Sequence, residues 1–501
     1  MPRRIGGMKP RVAFIVALAI FVALLSGSAR SAESRPGLKP CRLQGLENDA
    51  WCGVLKRPLD PAKPQGTQVD IHYALIPALA RNRKPDPVMF FAGGPGQSAM
   101  DLAGPVSRML ARLSNRRDLL LIDQRGTGRS APLLCEDTPP TAPLAEALDG
   151  PRQVEKLQAC RTRLQGLPHG DLRHYATWVA MQDADAVRAA LGVQQVDVIG
   201  GSYGTRAALE YLRQFPQAVR RVVIDGVAPP DMVMPAAFST DNQAALDAVF
   251  TACETEPACR SRHPTLRADW RTLLASLPRE VSVQHPVTGE LQRARLSREG
   301  LLSLVRGPLY VPLLASGLPQ AMADAARGRF EGLVGLAGAM GGGRLGRISE
   351  GMHFSVVCSE DLPRLAQAAD APGADFGSAF AEQYQAICRD WPRAEVPVAF
   401  YTLPPARVPV LVLSGGADPV TPPRHGERVA KALGAKARHV VVPQAGHGVM
   451  GIGCMRDALF RFIDAETEEQ AQQVDAGCAA AMPRPAAFRP VTAPTAGEGT
   501  K

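Results

Sequence analysis

The sequence has few aromatic residues, 5% of 501, and little charge, 21%. Its surplus of 57 basic over 48 acidic residues is small, and Arg3, Arg4, Lys9, Arg11 and Arg30 all fall within the first 32 residues, which hold no acid. Beyond that stretch the balance is 52 against 48, or +4, unclustered, which leaves no electrostatic footprint for nucleic acid. There is no C-x-x-C pair and no H-E-x-x-H, and the nine histidines are scattered, so no metal centre is expected. The apolar run near the start, Val12 to Leu25, is 14 residues long, shorter than the ~20 a membrane-spanning helix needs, and no other segment comes closer to spanning. What remains is ordinary: 46% apolar residues, 47 Gly and 44 Pro exclude a disordered, collagen-like or coiled-coil chain and describe a folded protein.

The N-terminus runs from basic residues into the apolar stretch and then into Ser26, Gly27, Ser28 and Ala29, the layout of a secretory leader over residues 1–32 with cleavage between Ala29 and Ala32. An uncleaved membrane anchor is the competing reading, and the Arg3-Arg4 pair raises a twin-arginine route. Export to the periplasm or the medium, with no membrane association after cleavage, agrees with an even number of cysteines, ten. Nearest-neighbour pairing is the expectation: Cys41 with Cys52, Cys135 with Cys160, Cys253 with Cys259, Cys358 with Cys388, and Cys454 with Cys478.

Short apolar, β-branched runs alternate with helical patterns, which argues a mostly parallel sheet covered by helices, an α/β class. The runs are Val88 to Phe91, Asp118 to Ile122, Val196 to Ile199, Arg221 to Ile224, Val408 to Leu413 and His439 to Val442. In such sheets the ligand site lies beyond the carboxyl ends of the strands. The alternation stops between Val227 and about Ala399, where helix-like pieces (Thr240 to Cys253, Arg298 to Arg306, Leu318 to Arg327, Phe376 to Cys388) and a Gly-rich link from Gly338 to Gly346 read as a mostly helical insertion. The expected organisation is a core over 33–228 and 399–479, a cap over 229–398, and an Ala/Pro/Thr-rich mobile tail over 480–501.

One strand end carries a chemical signature, Gly200-Gly201-Ser202-Tyr203-Gly204, with a helix-like segment, Arg206 to Phe215, behind it. Glycines flanking the serine at two-residue spacing permit the sharp strand-to-helix turn that lifts a nucleophilic hydroxyl clear of the sheet. A serine needs an imidazole to take its proton and an acid to orient the ring. His447 follows the last apolar run between two glycines, and Asp418 follows the run before it, giving the chain order Ser, Asp, His. Asp225, also at a strand end, is the rival acid. The developing oxyanion would meet the backbone N–H of Tyr203 and one from Gly93-Gly94-Pro95-Gly96, that of Gly94. That loop lacks the Gly-Lys-Ser/Thr of a phosphate-binding loop, and Asp123-Gln124-Arg125-Gly126-Thr127-Gly128 lacks the third glycine of a dinucleotide fingerprint, so no cofactor is expected. Asp123 and Arg125 are read as braces of the loops around the serine.

Taken together, G-G-P-G at Gly93 to Gly96, D-Q-R-G-T-G-R-S at Asp123 to Ser130, G-G-S-Y-G-T at Gly200 to Thr205, G-x-x-D-P-V-T-P ending at Pro422 and G-H-G at Gly446 to Gly448 resemble the α/β-hydrolase aminopeptidases over about Cys41 to Cys478. These are the proline iminopeptidases and the secreted tripeptidyl aminopeptidases. The resemblance implies an α/β-hydrolase fold with a helical cap and a serine exopeptidase that acts on peptides with a free N-terminus. In that family acidic cap residues hold the substrate's ammonium group; Glu360 is the candidate here, with Asp361 second, against a solvated acidic turn as the alternative. Ala92 stands where iminopeptidases often carry histidine, a departure in the oxyanion loop. A carboxylic-ester hydrolase on the same fold, or a non-catalytic binding protein, are the other readings.

Overall fold

The computed structural model describes residues 37–136, 138–148, 150–341 and 347–490. The leader expected over 1–32, residues 342–346 of the Gly-rich link and the chain beyond 490 lie outside the described residues. The chain divides between Lys39 and Pro40, and the larger unit, from Pro40 onwards, holds the sheet-and-helix body. Among the described residues no helix is long and apolar enough to cross a membrane.

The main sheet is built from β1 (Lys39–Cys41), β2 (Ala50–Pro58), β3 (Gln68–Ile76), β4 (Val88–Phe91), β5 (Leu119–Ile122), β6 (Val196–Gly201), β7 (Val219–Asp225), β10 (Val410–Gly415) and β11 (Ala437–Val442). Its nine strands run in the order β1-β2-β3-β5-β4-β6-β7-β10-β11. β3 is antiparallel to β2 and β5, and every pairing from β5 across to β11 is parallel. Each apolar run expected from the sequence forms a strand, with ends that move by at most two residues. These runs are unbroken because helices cover both faces: every residue of β4, β5 and β10 is buried. Each fully buried Val, Leu or Ile contributes roughly 1.5–3 kcal/mol of transfer free energy.

Register sets the strand ends level. Phe91 lies opposite Gly200, Gly201 opposite Asp225, Asp225 opposite Leu413, and Gly415 opposite Val442. The loops that follow these residues therefore leave the sheet side by side.

The helices around the site are α1 (Gly150–Gln165), α2 (Thr177–Ala190), α3 (Tyr203–Gln214), α4 (Met234–Thr255), α5 (Arg298–Leu309), α6 (Glu350–Glu360), α7 (Ala379–Cys388) and α8 (Pro423–Leu433). Helices α4 to α7 belong to the segment between β7 and β10. α4 starts six residues earlier than the helical pattern indicates, because Pro235 in the first turn presets a helical φ. The segment is not purely helical: β8 (Arg279–Gln284) and β9 (Leu291–Leu296) form an antiparallel hairpin. Its signal is the alternation that buries Val281, Val283, Ala294 and Leu296, interleaved with charge and set among helical patterns. Phe250, Trp270, Leu301 and Phe330 form an apolar cluster of the insertion's own. Leu144 and Leu148, assigned by the sequence to the core, join that cluster, and the Leu148 carbonyl accepts the Ser297 N–H at 3.3 Å.

The sulfur pairs are Cys41–Cys52, Cys135–Cys160, Cys253–Cys259, Cys358–Cys388 and Cys454–Cys478. The expected mobile tail takes a different form as far as Pro490. Phe488 N–H donates to Ser316 O at 2.9 Å and Arg489 pairs with Glu256, so this stretch lies against the insertion.

Candidate active site

Ser202 stands between β6 and α3 with φ +56° and ψ −126°, a backbone conformation an L-residue adopts only when its surroundings impose it. The imposition comes from packing. A side chain on Gly204 would begin 2.1 Å from the Phe91 carbonyl, and one on Gly200 would begin 2.2 Å from the Gly204 carbonyl, so neither position admits a Cβ. Thr205 Oγ1 and the Ser202 carbonyl, 2.6 Å apart, and Ser202 N–H donating to Asp225 O at 2.9 Å hold the turn.

His447 meets Asp418. The ring Nδ1 lies 2.8 Å from Asp418 Oδ2. Asp418 is fully satisfied: Oδ1 accepts Val420 N–H and Thr421 N–H, each at 2.9 Å, and Oδ2 accepts Thr421 Oγ1 at 2.7 Å besides the imidazole. Burial raises the Asp418 carboxyl, but the His447 charge and these hydrogen bonds outweigh it, and its pKa falls below the ordinary carboxylate value. Conversely, burial lowers His447, the Asp418 carboxylate overrides it with Asp225 adding, and the imidazole pKa rises above its usual 6.5. All protein bonds of the ring fall on Nδ1 among the described residues, which leaves Nε2 to take a proton.

Asp225 does something else. Its Oδ2 accepts Val449 N–H and Met450 N–H, each at 2.7 Å, so it braces the loop just past His447. Burial pushes its carboxyl up to about 6. The same neighbourhood brings the three segments together: the space where a side chain on Gly226 would start is 3.2 Å from His447 Cε1, and that on Gly201 is 3.4 Å from Met450 Cε.

On the other side of Ser202 lies the loop after β4. The corresponding space on Gly93 is 3.1 Å from Ser202 Cβ, which places Gly93 against the Ser202 side chain. Among the described residues neither Tyr203 N–H nor Gly94 N–H donates to a protein acceptor. Tyr203 opens α3, where N–H groups lack intrahelical partners, so both donors are free for an anion. The Tyr203 side chain is buried, its hydroxyl 2.7 Å from Thr177 Oγ1. Asp123 accepts Ser98 Oγ at 2.6 Å, Met100 N–H at 3.0 Å and Arg129 N–H at 3.1 Å, and Arg125 pairs with Asp183 and bonds the Leu59 and His174 carbonyls; both act as loop braces.

Glu360 and Asp361, expected to meet a substrate ammonium, have a different setting. Both are fully buried and both pair with Arg206 of α3, at 3.1 Å each. Glu360 also accepts Thr177 N–H at 2.7 Å and Thr177 Oγ1 at 3.0 Å. Burial pushes Glu360 up to about 7 against the pull of Arg206. The sequence hid this because Arg206 lies 154 positions away and only the fold brings it over.

Three residues of the insertion touch the site without any sequence signal. Tyr310 accepts His447 N–H through its carbonyl at 2.9 Å and sets its ring edge-on to the imidazole, 5.1 Å between centroids. His353 Nδ1 lies 3.2 Å from the Pro95 carbonyl and Nε2 lies 2.9 Å from Tyr384 Oη. A carbonyl only accepts, so His353 carries its proton on Nδ1 and Tyr384 donates to Nε2. Burial lowers His353 to about 4, which keeps it neutral. Backbone also joins the two parts, with Ser349 N–H donating to Gly96 O at 2.9 Å.

The sequence is similar to those of known proteins. The chain is 25% identical over 455 residues to the serine protease Hip1 of Mycobacterium tuberculosis, covering 82% of this chain and 86% of that protein. It is 31% identical over 215 residues to the tripeptidyl aminopeptidase of Streptomyces lividans, 40% of each. It is also 28% identical over 428 residues to the carboxylesterase B of Mycobacterium tuberculosis, covering 77% and 78%. Residues 86–451 match the alpha/beta hydrolase fold family, and with serine-peptidase and esterase relatives on either side, the chain belongs to that family.

Proposed function

We propose that the protein is an exported serine exopeptidase that releases residues from the free N-terminus of peptides through Ser202, His447 and Asp418. One observation carries the reading: His447 is held at Nδ1 by Asp418 with Nε2 unpartnered among the described residues, while Ser202, in an imposed turn, donates its N–H to Asp225, next to the Gly226 that faces the imidazole, and Tyr310 packs on the ring. Ser202 Oγ attacks the scissile carbonyl as His447 Nε2 takes its proton. The oxyanion is met by Tyr203 N–H and Gly94 N–H. His447 then returns the proton to the leaving amine, and water hydrolyses the acyl-enzyme by the reverse use of the same base. Asp418 keeps the imidazole in the correct tautomer and stabilises its charge. The names of two relatives, a serine protease and a tripeptidyl aminopeptidase, support a peptide substrate. Five disulfides agree with an oxidising compartment, periplasm or medium.

A carboxylic-ester hydrolase is the second reading, favoured by the carboxylesterase relative. Rates on chromogenic tripeptide amides with a free or an N-acetylated terminus, compared with a short-chain nitrophenyl ester, decide between them. Fast release from the free amine alone is expected; equal rates on both peptides, or turnover of the ester only, would overturn the exopeptidase reading.

A further inference from the structure

A cleft of about 370 Å³ opens beside the Tyr310 ring, walled by Phe354, Phe380, Tyr384 and Ile387, and the one charged side chain in its described lining is Arg306. It adjoins both halves of the site. Tyr310 rests on His447, and Tyr384 holds His353, which holds the Pro95 carbonyl of the oxyanion loop. Arg306 lies on α5 one turn before Tyr310, about 6 Å along a helix axis.

The guanidinium lies over the rings of Phe380 and Phe238, 5.1 and 5.7 Å from their centroids. Among the described residues no carboxylate pairs with it and no carbonyl accepts from it. Arg125, Arg206 and Arg267 of the same chain, by contrast, each hold at least one carboxylate. A guanidinium stays charged and offers five N–H donors in a planar fork suited to a carboxylate. Aromatic neighbours exclude water from its flank and strengthen a bond made at its edge. No acidic side chain in the described lining would repel an incoming anion.

We infer that Arg306 is a specificity residue that takes a carboxylate of the substrate, so that peptides carrying a negative charge near the scissile bond are preferred over their neutral isosteres. The inference rests on the serine-peptidase reading of the site. The carboxylate has two sources, an acidic side chain or the C-terminus of a short peptide, and both present the same planar anion.

The test compares kcat/KM within each of three proteins: wild type, Arg306→Gln and Arg306→Lys. One arm uses aminocoumarin amides of tripeptides with Glu or Gln at each position. A second uses tetra- to hexapeptides ending in a free carboxylate or a carboxamide. A third uses nitrophenyl esters of glutaric acid, with its second carboxyl free, and of butyric acid. In wild type the charged member of a peptide pair is preferred about tenfold or more, the size of one charge-assisted hydrogen bond, and in Arg306→Gln that ratio falls to within about twofold, with Arg306→Lys between them. The arm that responds identifies the source of the carboxylate. Misfolding lowers both members of a pair and leaves the ratio intact, so a poorly folded variant does not mimic the result. A wild-type ratio near one in both peptide arms, or a ratio that survives in Arg306→Gln, overturns the inference. If no peptide is turned over but the esters are, the peptidase reading fails by itself, and the ester pair then decides on Arg306: a charged-ester preference lost in Arg306→Gln sustains the anion site, and equal rates remove it.

Discussion

Tyr310 and His447 are joined twice, by a 2.9 Å hydrogen bond from the His447 N–H to the Tyr310 carbonyl and by an edge-on ring contact. Tyr310 follows α5 in the segment between β7 and β10, so the loop that carries the candidate base is fastened to that segment. Asp225 fastens the same loop from the sheet through Val449 and Met450. The loop around His447 is thus held at two points, by Tyr310 from the segment between β7 and β10 and by Asp225 at the end of β7.

The two aspartates near His447 separate by mutation. Asp418→Asn removes the charge that orients the ring and lowers kcat by about 10⁴-fold. Asp225→Asn keeps an oxygen that accepts both backbone N–H groups and costs about tenfold or less, because only a brace is altered. Steady-state rates on a chromogenic tripeptide check this, and the opposite ranking would reassign the acid.

The acid limb of kcat/KM reports the free enzyme's base. His447 must be neutral to accept a proton, and its pKa lies above 6.5, so activity falls as pH drops through a value higher than that of free histidine. In Asp418→Asn the stabilising charge is gone while burial remains, and the limb shifts to lower pH. A pH profile of both proteins measures the shift; a wild-type limb at or below 6.5 contradicts it.

Arg206, Glu360 and Asp361 form a buried cluster with one cation for two carboxylates. Arg206→Met strands both and costs about 3–5 kcal/mol. Glu360→Gln costs little, about 1 kcal/mol or less, since the fold already favours a proton there. The folded-state pKa of Glu360, about 7, exceeds the ordinary 4.5, so its contribution to stability is full at low pH and is lost as pH rises through 7. Urea unfolding across that range shows the slope in wild type and a shallower one in Glu360→Gln. A Glu360→Gln protein that keeps the wild-type slope but loses its preference for free amines would return Glu360 to the ammonium role.

Cys358–Cys388 ties α6 to α7, the helices that present His353 and Tyr384 to the loop after β4 at Pro95. Replacing both cysteines by serine frees a loop of 30 residues and lowers stability by about 3–4 kcal/mol on the chain-entropy estimate. KM rises more than kcat falls, because the cap loosens before the sheet does. Thermal unfolding with and without reductant, set beside kinetics of the double variant, checks both parts.

The six parallel strands β4, β5, β6, β7, β10 and β11 are legible in the sequence as apolar runs because a strand covered by helices is apolar along most of its length; β1 and β2, partly exposed, carry no such run. The turn at Ser202 is legible because glycine spacing is a local demand of the backbone: no Cβ fits at 200 or 204. The hairpin β8–β9 is not, because its alternation is short and interleaved with charge. Nor is the packing of the tail from 480, whose contacts are with Glu256 and Ser316, far back in the chain.

By itself the sequence determined what short stretches of chain must do: which apolar runs become strands, where the backbone turns sharply, and in which order a serine, an aspartate and a histidine leave the strand ends. The tertiary structure alone decided partnership. Whether a buried carboxylate faces a ligand or an arginine 154 residues away, whether Asp225 orients a ring or braces a loop, and whether Arg306 is left without an anion depend on which distant groups folding carries within hydrogen-bond reach. Coulomb and hydrogen-bond terms act over a few ångströms, and separation along the chain does not measure that distance.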